Sequence, residues 1–151
     1  MKILLLLAAL SAFASGCSAD ATKDKPITPL LLTGTNSAVR LARQMVVRDA
    51  KAFEALWQEH VRNNPMKPET PYVDFKLYDV VAVFAGSKPT GGYSVEIAQP
   101  VVKGKSATIA ETIYKPGPGM MVTQAFTYPY AMRAVRKLPL KVEFKVETKA
   151  K

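Results

Sequence analysis

One thiol, one imidazole and twelve carboxylates are the chain's main stock of acid, base and metal-ligand chemistry. His60 is the imidazole, and it falls beside the apolar pair Trp57 and Val61. A lone His in that setting reads as a packing or surface residue, not as a catalyst. A zinc site takes three or four His, Cys or carboxylate ligands, and one His with one Cys cannot supply the common sets. Two short motifs invite a test. Gly92-Tyr93-Ser94-Val95-Glu96 has the opening of a nucleophile elbow, but Glu96 stands where a second Gly is needed, and the turn enters a strand where the elbow leaves one for a helix. Gly86-Ser87-Lys88-Pro89-Thr90-Gly91-Gly92 resembles a phosphate loop, but no Lys-Ser/Thr pair follows the last glycine and no helix is expected after it. Asp74 and Asp79 flank a strand start, while Glu96, Glu111, Glu143 and Glu147 lie in alternating segments where a solvated face is the default. No catalytic residue, metal ligand or cofactor is assigned, and the chain is expected not to be an enzyme.

The thiol has a different reading. Lys2 opens a leader, Ile3 to Leu10 form its apolar run, and Ser11 to Gly16 bring small or apolar residues up to Cys17. Charge, a short apolar stretch and small residues at the cut make a signal peptide, and the stretch is too short for a spanning helix of about 20 residues. Ala14-Ser15-Gly16-Cys17 resembles the bacterial lipobox, with Ala14 in the place usually held by Leu. The resemblance implies that residues 1–16 are removed and that Cys17 takes a diacylglyceryl group. Several acyl chains then anchor the protein durably, at about 0.8 kcal/mol per buried methylene. Ser18 after the cysteine, where lipoprotein sorting would read Asp as retention, points to the periplasmic face of the outer membrane.

Charge and length restrict the partners. The chain has 21 Lys and Arg against 12 Asp and Glu, and losing Lys2 with the leader leaves 20 basic residues. The excess draws anionic surfaces or acidic partners. The basic residues are scattered, which describes a solvated surface more than a specific anion site, and nucleic acid is not an expected partner outside the cytoplasm. About 135 residues remain after the leader, enough for one domain with a real core and no disulfide.

The elements that must position any site follow from periodicity. Ser18 to about Thr35 reads as a tether interrupted by Leu30-Leu31-Leu32, so 17–36 is taken as a lipidated linker and 37–151 as the domain. Ala38 to Val47 alternates loosely and is read as a strand. Asp49 is a good N-cap, and Phe53, Leu56, Trp57 and Val61 share a helical face, which predicts a helix over Ala50–Arg62. Asn63-Asn64-Pro65 stops it. Val80 to Ala85 is a continuous apolar run, read as a central buried strand. Tyr93 to Ile97, Ser106 to Tyr114, Met132 to Leu138 and Leu140 to Val146 supply further strands, with turns at Gly86–Gly92, Lys103–Lys105 and Lys115–Gly119. The expectation is an α+β domain: a mainly antiparallel sheet of about six strands with one amphipathic helix near the N-terminus packed on it.

Asp79 to Gly86, followed by Lys88-Pro89-Thr90-Gly91-Gly92-Tyr93-Ser94-Val95-Glu96-Ile97, resembles the C-terminal domain of PrcB-type protease-complex subunits. Pro116-Gly117-Pro118-Gly119, Tyr128-Pro129-Tyr130 and the Phe53–Trp57 helix fit the same pattern, so the resemblance runs from about Ser37 to Phe144. It implies a lipoprotein that associates with and stabilises an extracytoplasmic protease complex without being a protease, and it brings no catalytic residues. Partner contact is expected at Pro89, Thr90, Gly91, Gly92 and Tyr93, where Gly91 and Gly92 permit positive φ in a tight hairpin and a rigid small-residue turn would offer bare backbone. Met120 and Met121 in the neighbouring loop would add an adaptable patch. The same turn is similar, more distantly, to the Asn-Pro-Thr-Thr-Gly-Tyr loop of chagasin-type cysteine-protease inhibitors. That similarity implies a protease inhibitor as one alternative; an unrecognised envelope hydrolase is another.

Overall fold

In a computed structural model that describes residues 30–151, eight strands and one helix make three layers. The first sheet takes β1 (Leu31–Gly34), β7 (Tyr130–Arg136), β3 (Tyr78–Ala85) and β2 (Ala42–Val47) in that order, with all neighbours antiparallel. The second is built on β6 (Ser106–Lys115), with β4 (Ser94–Ile97) and β5 (Val101–Lys103) antiparallel to it and β8 (Lys141–Ala150) parallel. The helix, α1 (Ala50–His60), lies on the outer face of the first sheet.

This arrangement explains the unbroken apolar run of β3. A strand shows its side chains alternately to two faces, and both faces of this one are covered. Val80, Ala82 and Phe84 pack with Phe53, Leu56 and Trp57 of α1. Val81, Val83 and Ala85 pack with Val95, Ile97, Ala107 and Ile109 of the second sheet. Each fully buried side chain of this size contributes about 1.5–3 kcal/mol, so β3 and β7, central in the sheet, carry much of the core. The helix begins as its sequence indicates: the Asp49 carboxylate accepts from the Ala52 N–H at 2.8 Å, filling one of the donors that every helix start leaves free. It stops at His60, two residues earlier than periodicity suggests, and Val61 N–H closes the last turn on Trp57 C=O at 2.9 Å.

Three expectations are corrected. There are eight strands, not about six, because alternation in short segments such as Val101–Lys103 is too brief to register. The pairing itself is mainly antiparallel as expected; the exception among the described residues is β8, which returns parallel to β6, from Ser106 opposite Lys141 to Lys115 opposite Ala150. Alternation fixes which face a residue shows but not which strand lies alongside. Finally, the stretch read as linker up to residue 36 carries β1, whose Leu31 to Gly34 pair with Arg133 to Tyr130. Conversely, the strand read from Ala38 begins only at Ala42. The signal peptide, Cys17 and the first part of the tether lie outside the described residues.

Candidate functional site

The segment 86–93 is not a hairpin. It leaves β3 in the first sheet and enters β4 in the second, so it crosses between the layers. Its course is fixed by a second, distant segment. Lys88 N–H donates to Thr127 C=O at 2.8 Å and Thr127 N–H returns to Lys88 C=O at 2.9 Å. The Thr127 hydroxyl donates to Thr90 C=O at 2.8 Å, and Gly91 N–H donates to Thr123 C=O at 2.9 Å. The Pro-Thr-Gly-Gly-Tyr turn and the Lys115–Gln124 loop are therefore one packed unit.

The two glycines make that contact feasible, though not as expected. Gly92 has φ +82°, and a Cβ there would sit 2.8 Å from Val122 Cγ1 and 3.0 Å from Pro116 Cβ. Gly91 is not in the left-handed region; it is needed because a Cβ would collide with the Thr123 hydroxyl. Gly91 is also buried, and its N–H is already engaged. The turn thus does not offer bare backbone at this residue; its glycines receive the neighbouring loop. What it shows outward is the exposed Pro89 and the half-buried Thr90, Gly92 and Tyr93, with the Lys88 ammonium 5.8 Å from the centre of the Tyr93 ring. An open groove of about 680 Å³ runs beside the turn, with Gly34 and Thr35 on one side and Gly92, Tyr93, Glu96 and Tyr114 on the other.

The partner loop carries the exposed apolar groups. Met121 is 100% exposed and Met120 46%. The Met120 thioether accepts from Gly117 N–H at 3.2 Å and so folds back on its own loop, leaving Met121 as the projecting member. The loop is pinned at its base by Lys151 N–H donating to Lys115 C=O at 3.0 Å. Phe126, 70% exposed and adjacent to the Thr127 that clamps the turn, was not singled out in the sequence, where nothing distinguishes it from a core aromatic. The structure places it at the mouth of a second groove shared with Asn36, Asn64, Pro65 and Tyr128.

The chemistry-bearing residues lie elsewhere, and each is occupied. His60 is buried, with Nδ1 2.9 Å from the Ser37 hydroxyl and its ring 4.2 Å from that of Tyr130. Burial pushes its pKa below the ordinary histidine value and favours the neutral ring. Asp79, fully buried, takes hydrogen bonds from Arg48 at 3.1 Å, Lys137 at 2.6 Å and the Leu138 N–H at 2.9 Å. Glu111 corrects the expectation of a solvated face: it is 2% exposed and points into the space between the sheets. The signal was in the alternation, since Ala107, Ile109 and Ile113 share its side of the strand. Glu96 accepts from the Tyr114 hydroxyl at 2.8 Å on the outer surface. Among the described residues, no group of three or more His, Cys, Asp or Glu side chains is placed to hold a metal ion.

No curated protein and no solved structure matches the chain. A family model described as PrcB C-terminal matches residues 80–135, from the first residue of β3 to face α1, through both clasped loops, to the penultimate residue of β7. The matched span thus takes in the two strands at the centre of the first sheet, the clasped loops and β4 to β6 between them, and from Val80 to Val135 the chain is similar to the PrcB C-terminal family.

Proposed function

We propose that the protein is a non-enzymatic binding module of the bacterial cell envelope, held to the outer membrane's periplasmic face through lipid on Cys17. Its occupant is a protein, a protease or another envelope complex, which docks on the paired loops. The observation that carries this reading is the clasp itself. Two loops are locked together by main-chain bonds between residues more than thirty positions apart in sequence, of which Gly91 N–H to Thr123 C=O at 2.9 Å is one, and they leave Met121 fully in solvent. A rigid platform bearing a flexible apolar side chain loses little entropy on docking. The match of residues 80–135 to the PrcB C-terminal family supports the choice of a protease-associated partner.

Glycine replacements are poor tests, because a side chain at Gly91 or Gly92 would prise the two loops apart. Met121→Asp and Phe126→Asp change only exposed groups. Affinity purification from detergent-solubilised membranes is expected to yield a stoichiometric protein partner with the wild type. Each variant is expected to lose at least tenfold of the captured partner at an unchanged melting temperature. Full retention by both variants, or a wild type that emerges alone and cleaves cell-wall fragments, would overturn the reading. Intact-mass measurement on the same extract tests the anchor: loss of residues 1–16 and added acyl mass on Cys17 are expected.

A further inference from the structure

The second sheet ends in a strand whose outer edge is unused. β8 pairs with β6 along all ten of its residues, from Lys141 to Ala150, and with no other strand among the described residues. Its other side therefore presents a row of free backbone donors and acceptors, the kind of template that proteins usually blunt with charged side chains, above all lysine, or with a proline. The strand holds no proline, and its three lysines alternate with glutamates that a second copy of the same strand could match. Lys141, Glu143, Lys145, Glu147 and Lys149 alternate in sign along one face, where Lys141 lies 3.4 Å from Glu143 and Lys149 3.0 Å from Glu147. The other face carries Val142 and Phe144, which pack on the inter-sheet core, then Val146, which is 54% exposed.

This pattern is complementary to itself. In an antiparallel pair, directly opposed residues share a face and lie about 4.5–5.5 Å apart. A second copy of β8 laid antiparallel with Phe144 opposite Phe144 sets Lys141 against Glu147 and Glu143 against Lys145, twice each by symmetry. On the apolar face it sets Val142 against Val146, covering the exposed valine. Sliding the register so that Lys145 meets Lys145 instead opposes Lys141 to Lys149 and Glu143 to Glu147, which like-charge repulsion disfavours. Charge thus excludes the lysine-centred register, and covering the exposed Val146 with Val142 favours the one centred on Phe144. We infer that the β8 edge is a homodimer interface: two copies join through a two-fold axis at Phe144 and merge their second sheets into one continuous sheet. The inference is independent of the paired loops.

Sedimentation velocity on the full chain in detergent tests it, with three variants. The wild type is expected to sediment as a dimer. Glu143→Lys with Glu147→Lys makes the face wholly basic, and Lys141→Glu with Lys145→Glu makes positions 141–147 wholly acidic. Each is expected to be monomeric alone, and an equimolar mixture of the two is expected to recover the dimer. Val146→Pro is the third variant: Lys151 N–H bonds Lys115 C=O, so the odd-numbered residues of β8 face β6 and the even-numbered ones offer their donors outward, and this proline removes one of those; it is expected to shift the association constant at least tenfold toward monomer. Circular dichroism and melting temperature establish that each variant is folded. A monomeric wild type at the highest concentration reached, or charge variants that dimerise alone as well as mixed, would overturn the inference.

Discussion

Glu111 points from β6 toward the first sheet in a row with Ala107, Ile109 and Ile113. One carboxyl oxygen accepts from the Gln44 amide at 2.6 Å, and the other is buried without a partner. Burial pushes its pKa above the ordinary value of 4.5, with the Gln44 bond working in the opposite direction. The unfolded chain therefore ionises first as pH rises, and stability falls from about pH 4.5 upward until the folded carboxyl has also ionised. Glu111→Gln keeps the shape and removes the charge. Its melting temperature is expected to exceed that of the wild type at pH 7 and to match it near pH 4, as read by thermal melts across that range. His60 gives the opposite slope. Its pKa is lowered by burial, so the unfolded chain takes up a proton first as pH falls through the ordinary histidine value of 6.5, and stability declines from there toward acid. In His60→Gln that decline is expected to vanish between pH 7 and 5 in urea titrations.

The helix and the strand beneath it make a second scale of test. Asp49→Ala removes the cap on α1 and is expected to cost about 1 kcal/mol. Phe84→Ala opens a cavity beneath the helix between His60 and Tyr130, whose ring centres lie 6.2 and 6.4 Å from that of Phe84, and is expected to cost about 3–5 kcal/mol. Chemical denaturation measures both. These elements were legible because each announces itself locally: Asp49 before Phe53, Leu56 and Trp57 needs no knowledge of the rest of the chain, and neither does an apolar run as long as Val80–Ala85. The features that sequence reading missed depend on partners far away. Leu31 to Gly34 form a strand because β7 lies open beside them, and β8 is parallel because β6 is its neighbour; neither fact is written in the local alternation. At the candidate site the turn residues and both methionines were found from composition. Their clasp was not, because the reason for Gly91 is the hydroxyl of Thr123, thirty-two positions on.

At the scale of the whole molecule, Asp79 ties three elements at one end of the sandwich. Its carboxylate holds Arg48 at the end of β2 and Lys137 and Leu138 after β7, while Arg48 also donates to Leu138 and Pro139 C=O, each at 2.9 Å. Asp79→Ala leaves the Leu138 N–H unpaired and two cations without their anion. Arg48 and Lys137 are 32% and 42% exposed and keep access to water, so the expected loss is about 1.5–3 kcal/mol, not that of a fully buried ion pair. Equilibrium unfolding in urea would measure it.

The first sheet also has an order of assembly built into it. Its inner strands, β3 and β7, touch each other from Tyr78 opposite Arg136 to Phe84 opposite Tyr130, and β1 waits for the same late strand. During synthesis from the N-terminus, the scaffold that α1 rests on is missing its middle until residue 136 has emerged. Such distant pairings make for slow folding, and they hold the nascent polypeptide in an unsettled condition, apolar segments uncovered, for most of its journey. A chaperone that shields Val80–Ala85 during that interval would be guarding the longest unbroken apolar run of the sheet.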